Sequence, residues 1–479
     1  MRIFFFALFS CAFATNAQAT TYNVTSTDAV GFGTFRQAIL NSNATPGGTH
    51  TITFVAPFPD DGLILLGSNL PTIQSNNLTI AGGSKTPRID GQSLHSILRV
   101  GNATTRLELT DLTLQNGFAS EEGGCVFADN SNSTSAILSA TRITIRDCQV
   151  SGVSLIRGGG IYWGRAAGTV SLTDSRLTGN IATATGALGE ANGGAVYART
   201  NFQSLRTVYE SNATLSATGG GTGGAVVLSG LSTSNTITDS TFRFNGASPT
   251  SPIFGYGGAL NVACEDCSTQ IVRSYFRGNS ANYGGGIFAR KGSGGAVNVF
   301  LTLVNTTFYN HSVLDQGGAV LMGIGTSLSA SNNTFYNADA TSGAHLAFTQ
   351  MPEVSFFRAN LLAPTFAGTA CSGSFSLPTP GFINANLFSD TSCGGLATGS
   401  LANAPLGSVT IDERPGEIGV VRFGGSAVID SISLDSLCEP RDARFIVRPE
   451  DGDGNGTARC DVGAYESPFD IIFYNGFDR

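Results

Sequence analysis

The stretch GGALNVACEDCSTQIVRSYFRGNSANYGGGI, residues 257–287, holds one complete copy of the unit from which this 479-residue chain is built. It opens on Gly257-Gly258-Ala259-Leu260, passes Phe276 and Asn279, and returns to Gly284-Gly285-Gly286-Ile287. The same Gly-Gly-small-aliphatic tetrad starts at Gly123, Gly158, Gly193, Gly223 and Gly317, with a decayed copy at Ser342-Gly343-Ala344. Between tetrads an apolar anchor recurs at Leu114, Ile145, Leu177, Tyr209, Phe242, Phe276, Phe308, Phe335 and Phe357, at spacings of 31 to 34 that shorten to 27 and then 22. A period of this size marks a repeat architecture, in which each unit buries its apolar face on the next.

Within a repeat, apolar and small polar residues alternate, as in Asn235 to Asn245, and Gly, Asn and Ser bound the runs. No repeat carries a helical pattern. The expected fold is all-β, a parallel β-solenoid of about eleven coils, counting two or three between Thr51 and Gly101. At ~4.8 Å per coil it is a rod on the order of 50 Å long. A 22-residue spacing is read as a bare coil. Longer repeats carry a loop of about ten residues between the Asn and the next Gly-Gly, as at Gly246 to Tyr256. Asn180, Asn212, Asn245, Asn279 and Asn360 follow their anchors by three, but Asn116, Asn310 and Asn337 by two. A one-residue shift flips a strand's faces, so these are read as turn-forming Asn. An N-terminal capping helix is expected over Phe32 to Leu40, with Phe35, Ala38 and Ile39 on one face. The expected division is 1–19 signal peptide, 20–50 cap, 51–400 β-helix, and 401–479 C-terminal cap and tail.

Composition agrees with that reading. Glycine numbers 62, about twice the ~7% norm, and charged residues make up 13% against ~25%. Hydrophobic content of 41% is too high for a disordered chain, and a net charge of −8 argues against nucleic acid as a partner. Met1 to Ala19 reads as a secretory signal with an Ala17-Gln18-Ala19 cleavage site, and no later run is long enough for a transmembrane span. The location expected is extracellular or associated with the outer surface. Beyond Cys11, eight cysteines remain: Cys125, Cys148, Cys264, Cys267, Cys371, Cys393, Cys438 and Cys460. An even count in an exported chain favours disulfides, most simply between sequence neighbours.

The repeat resembles that of bacterial exported right-handed parallel β-helix proteins related to the chlamydial polymorphic outer membrane proteins (Pmp). Their Gly-Gly-Ala-Ile and Phe-x-x-Asn motifs are similar to Gly257-Gly258-Ala259-Leu260 and Phe276-Arg277-Gly278-Asn279. Thr34-Phe35-Arg36-Gln37-Ala38-Ile39 is similar to the Ser-Leu-Arg-Glu-Ala-Ile segment at the start of CSLREA-type surface proteins. Cys371-Ser372-Gly373, Gly425-Ser426-Ala427-Val428-Ile429-Asp430 and Cys460-Asp461-Val462-Gly463-Ala464-Tyr465-Glu466 follow the family's order. The resemblance implies a right-handed coil. Phe469 to Arg479 resembles short aromatic tails on exported gammaproteobacterial proteins, which implies a sorting role; an edge strand or a loose tail is the alternative.

Catalytic chemistry is not nominated by any motif. The Asn-Thr-Asp, Gly-His-Gly and Arg-Ile-Lys signatures of β-helical pectin hydrolases are missing, and His50, His95, His311 and His345 read as turn or surface residues. Glu121-Glu122 and Asp60-Asp61 read as solvated loop charge, and Asp28, Asp90, Asp174 and Asp239 as scattered. Asp451, Asp453 and Asn455 present oxygen ligands at alternate positions, as Ca²⁺ requires, but Val462 stands where an EF-hand has Glu; a plain turn is the other reading. The residue after each anchor faces solvent, which aligns Arg243, Arg277, Tyr309 and Tyr336 as a stripe suited to polysaccharide or host-surface glycan. The expected function is adhesion or surface interaction without catalysis; the alternative is a carbohydrate-active enzyme, a lyase or glycoside hydrolase, on the same scaffold.

Overall fold

The computed structural model describes residues 19–468, apart from 102–103, 130–134, 218, 248–253, 293–297, 378–382, 397, 401–405, 414–418, 425–426 and 433–437. The expected signal segment up to residue 18, the tail Phe469 to Arg479, and Gly425 and Ser426 lie outside the described residues.

Alternation decides the strands. In Cys267–Val272 and Val299–Val304 every second side chain is buried, and the two strands pair in parallel with Ile271 opposite Leu303. Repeating that pairing coil by coil gives a thirteen-stranded sheet from Thr20–Val24 to Ile383–Asn384. A second sheet, also thirteen-stranded, runs from Leu63–Leu65 to Gly399–Ser400 and carries the anchors on strands mostly three residues long. The third holds ten strands, Leu98–Val100 to Cys371–Gly373, formed mostly by residues just after the Gly-Gly pairs. The chain is thus a right-handed parallel β-helix. Ten strands in the third sheet span nine full turns, slightly fewer than the eleven coils expected. The two longer sheets overrun it at the ends. The capping helix is Phe35–Asn43, three residues later than expected, because Thr34 is its N-cap and accepts from the Gln37 amide.

The interior is a ladder of like side chains. Tyr209, Phe242, Phe276, Phe308 and Phe335 stack with ring centroids 4.4, 4.7, 5.0 and 4.9 Å apart, the spacing that parallel strands impose. The next anchor is Leu362, opposite Phe335, and not Phe357, which lies in the first sheet opposite Ala330. The spacing there is therefore 27 again rather than 22, and the shorter coils of this column are the 25 residues from Ile64 to Ile89 and from Ile89 to Leu114.

The two glycines of each pair do different work. Gly257 has φ +65°, a left-handed conformation that side chains resist. A Cβ on Gly258 would stand 2.4 Å from the Gly285 carbonyl oxygen of the next coil and 2.5 Å from that of Ser280.

The asparagines divide in the same way, and most are not turn formers. Asn180, Asn212, Asn245 and Asn279 are fully buried in one column, each Nδ2 donating to the next Oδ1 at 2.9 to 3.0 Å. His311 takes the next place, buried, with Nδ1 3.3 Å from the Asn279 carbonyl oxygen. Asn116, Asn310 and Asn337, one residue earlier, have φ of 51°, 56° and 54° and do fit the turn reading. Asn360 belongs to another corner, where Asn333 donates to it and it donates to Asn386. His50 and His345 are buried too, which corrects the surface reading for three of the four histidines.

Three residues before each anchor the chain again turns left-handed. Asp111, Arg142, Asp174, Arg206, Asp239 and Arg273 occupy this corner in order, with φ between 45° and 55°. Each Arg grips the preceding Asp through Nε and Nη2, at 2.6 and 2.8 Å for Arg142 with Asp111. Asp174 and Asp239 are members of this column rather than scattered charge.

All four disulfides join sequence neighbours: Cys125–Cys148, Cys264–Cys267, Cys371–Cys393 and Cys438–Cys460, with Cα atoms 4.9 to 6.4 Å apart. Among the described residues no helix is long and apolar enough to cross a membrane.

Candidate functional site

Where they are described, the extra residues of the long repeats form two-legged arms. In one coil Ile181–Ala184 runs outward and Glu190–Asn192 returns, and each leg pairs in parallel with its counterparts, Ala213–Ser216 and Gly221–Thr222, on the next arm. Val150, Ile156, Ala182, Ala184 and Ala191 form a small core between the legs. The stacked arms make a wall beside the third sheet.

The outward residue of each third-sheet strand is the one directly after the tetrad. Phe127, Tyr162, Tyr197, Val227, Asn261 and Phe288 thus stand in one row. Phe127, Tyr162 and Tyr197 stack at 5.6 Å intervals, and Tyr256 of the wall stacks on Phe288 at 4.8 Å. Between row and wall lies a groove of about 650 Å³. Tyr197, Val227 and Asn261 line its floor, Glu190, Asn192, Thr222, Phe254 and Tyr256 its arm side, and Ser229, Arg290 and Lys291 the far side. The size suits a ligand of several rings. Asn261 is only 2% exposed and its Oδ1 has no hydrogen-bond partner. The tetrad-plus-one position was a visible signal for this row; the arms, irregular in sequence, were not.

The sequence-predicted stripe forms in register: Arg243, Arg277, Tyr309 and Tyr336 occupy successive strands of the second sheet. Arg243 Nε is 2.9 Å from Glu210, and Arg277 is bonded to Glu413, which also accepts from the Tyr275 hydroxyl. Tyr309 and Tyr336 pack against an apolar cluster that includes Val421, Phe423 and Val428, with Phe423 edge-on to Tyr336 at 5.4 Å. The C-terminal segment therefore lies along this stripe. Further down, Glu439 ties it to Ser331 and Arg358.

In that segment Asp451 and Asp453 converge as expected, but the third carboxylate is Asp430; their oxygens all lie within 4.8 Å of one another. Asn455 is committed to the loop, donating to Asp453 at 2.8 Å and accepting from the Thr457 amide at 2.9 Å. An all-oxygen set suits a hard cation. The carboxylate oxygens also serve the backbone: Asp430 accepts from the Asp453 amide at 2.8 Å and Asp451 from those of Asn455 and Gly456 at 3.1 and 2.9 Å. Beneath them, burial pushes the Asp461 carboxyl up to about 6 and that of Glu466 up to about 7, beside the fully buried Arg448.

Glu122, one of the carboxylate pairs, bonds Arg157 at 2.6 Å, and Asp60 bonds Lys85 at 2.7 Å. Comparison with protein-family models, curated proteins and solved structures finds no match to this chain.

Proposed function

We propose that the protein is an exported rod, secreted or held at the cell surface, that binds glycans without transforming them and acts in adhesion or surface contact. The observation that supports this is the groove between the arm wall and the third sheet. Its rings offer faces to the apolar sides of sugars, and its amides and hydroxyls offer partners to sugar hydroxyls. Four disulfides suit an oxidising exterior. The likeness of the repeats to chlamydial Pmp repeats and CSLREA-type segments supports the same setting. The groove, rather than the Arg/Tyr stripe beneath the C-terminal segment, is the proposed binding face.

The test is a polysaccharide array probed with the wild type and with Phe254→Ala/Tyr256→Ala. Retention of selected glycans by the wild type and their loss in the variant is expected; binding to none, or equal binding by both, refutes the reading. The same incubations, assayed for unsaturated products or new reducing ends, would reveal the enzymatic alternative.

A further inference from the structure

We infer that the groove selects an acidic saccharide, its anionic group held at one end by Arg290 and Lys291 and a neighbouring hydroxyl or amide donor taken by Asn261. This rests on the reading of the groove as a glycan site and adds the class of glycan.

The floor supplies the first reason. A buried acceptor with no partner costs stability, so most such atoms are paired. Asn261 stands where neighbouring coils place Val227 and Phe288, and either would satisfy packing without that cost. Asn261 lines a cavity of ligand size while its Oδ1, closed off from solvent in the free protein, accepts nothing, so that a rotation of the side-chain amide would present an unpaired acceptor to a ligand. A ligand that donates there gains what the free protein lacks.

The second reason is charge. Arg290 lies over the rings of Tyr256 and Phe288, 5.9 and 5.8 Å from their centroids, so its guanidinium is carried on an aromatic support at the groove's edge. Neither Arg290 nor Lys291 has a carboxylate in salt-bridge range among the described residues. That differs from the second-sheet stripe, where Arg243 and Arg277 are both neutralised. The acidic residue in the groove lining, Glu190, is on a coil three rungs away, about 14 Å at ~4.8 Å per rung and beyond the ~8 Å screening length of physiological salt. At the other end Arg157 is bonded to Glu122. A chain of net charge −8 thus presents two cations that form no salt bridge among the described residues, with the Glu265 carboxylate beside Gly292 as the nearby acid, next to an unpaired acceptor. Carboxylate and sulfate share the chemistry that such a pair recognises.

Hyaluronan and polygalacturonate (carboxylate), heparin (sulfate as well), and each carboxylate polymer after reduction of its carboxyls to alcohols are titrated against the full chain. At least one acidic polymer should bind, weaken as salt is raised, and lose about tenfold or more on carboxyl reduction or in Arg290→Ala/Lys291→Ala. Preference for heparin over the other two would assign sulfate. Asn261→Leu should weaken binding while leaving the melting temperature of the free protein equal or higher, which a purely structural residue would not do; Asn261→Asp should abolish binding by repulsion. If neutral and acidic polymers bind alike and both are lost in Phe254→Ala/Tyr256→Ala, the acidic selectivity is wrong and the groove stands. If no polymer responds to any groove variant, the glycan reading falls with it.

Discussion

Asn245 and Asn310 look alike in the sequence, three and two residues after a Phe anchor, and should differ several-fold in what they contribute. The Asn245 Oδ1 accepts from both the backbone amide and the Nδ2 of Asn212, at 3.0 Å each; its Nδ2 donates to the Tyr209 carbonyl at 3.0 Å and to the Asn279 Oδ1 at 2.9 Å. In Asn245→Ala, the Asn279 Oδ1 keeps the amide of residue 245, which reaches it at 2.9 Å. The Asn212 Nδ2 likewise keeps the Leu177 carbonyl at 2.9 Å, so two buried groups, the Asn212 amide and the Tyr209 carbonyl, lose this partner, at roughly 1–3 kcal/mol each, and the expected loss is about 2–6 kcal/mol. Asn310 is exposed, with φ 56° and one side-chain bond, from Asn337. Asn310→Ala should cost about 1 kcal/mol, because the methyl lacks the polar group with which Asn offsets the left-handed penalty, and Asn310→Gly close to nothing. Denaturant unfolding followed by circular dichroism and by the fluorescence of Trp163, the single tryptophan and fully buried, gives both values. Comparable losses in Asn245→Ala and Asn310→Ala, or a rescue of Asn245 by Gly, would refute the ladder as a source of stability.

Gly258→Ala should destabilise far more than an exposed Gly→Ala change, since its Cβ would collide with two carbonyl oxygens of the stack; a melting point within a degree of wild type would contradict that. Burial lowers His311 and His345 to about 4 from the usual 6.5. Their contribution is complete above pH 6.5 and is lost as pH falls toward 4, because only the unfolded chain takes up the protons. Asp461 and Glu466, raised to about 6 and 7, act oppositely: their folded forms hold protons, so stability declines as pH rises from about 4 to 7. In melts at pH 7 and pH 4.5, His311→Asn should therefore gain about 2–3 kcal/mol on the wild type upon acidification; parallel pH profiles would count against it. Breaking Cys371–Cys393, a 22-residue separation, should cost about 3 kcal/mol, and breaking Cys264–Cys267, three residues apart, about half that, as compared in Cys→Ser pairs by chemical unfolding. Phe423→Ala should loosen the C-terminal segment from Tyr336 and expose it to limited proteolysis without unfolding the rod; an unchanged digestion pattern would show that the segment is held elsewhere.

Period, anchors, strand faces and disulfide partners were legible in the sequence because each coil repeats the same physical task at the same place. The same regularity aligned Arg243 through Tyr336 correctly. What it could not show was that distant residues, Glu413 far beyond Arg277 and Phe423 far beyond Tyr336, return to lie on them. The histidines were misread because burial depends on column: His311 is three after Phe308, the ladder place, and that count was available. The Phe357 anchor failed because an aromatic residue is equally at home in either sheet, and only the pairing of Leu362 with Phe335 separates them. The groove escaped notice because half of it is arms whose lengths and residues vary, while its floor sits one residue past the motif that drew attention.

The Asp/Arg corner also bears on how such a rod can grow. Oppositely charged residues alternate from Asp111 to Arg273, so the column has a period of two coils, although the backbone has a period of one. Duplicating or deleting a single coil there would set Asp on Asp or Arg on Arg, turning attraction of a fraction of a kcal/mol to about 1 kcal/mol into repulsion of similar size. Gaining or losing two coils together leaves every contact in place. Charge thus gives the solenoid a preferred quantum of length twice that of its fold, and insertions in this region are expected to survive more readily as pairs.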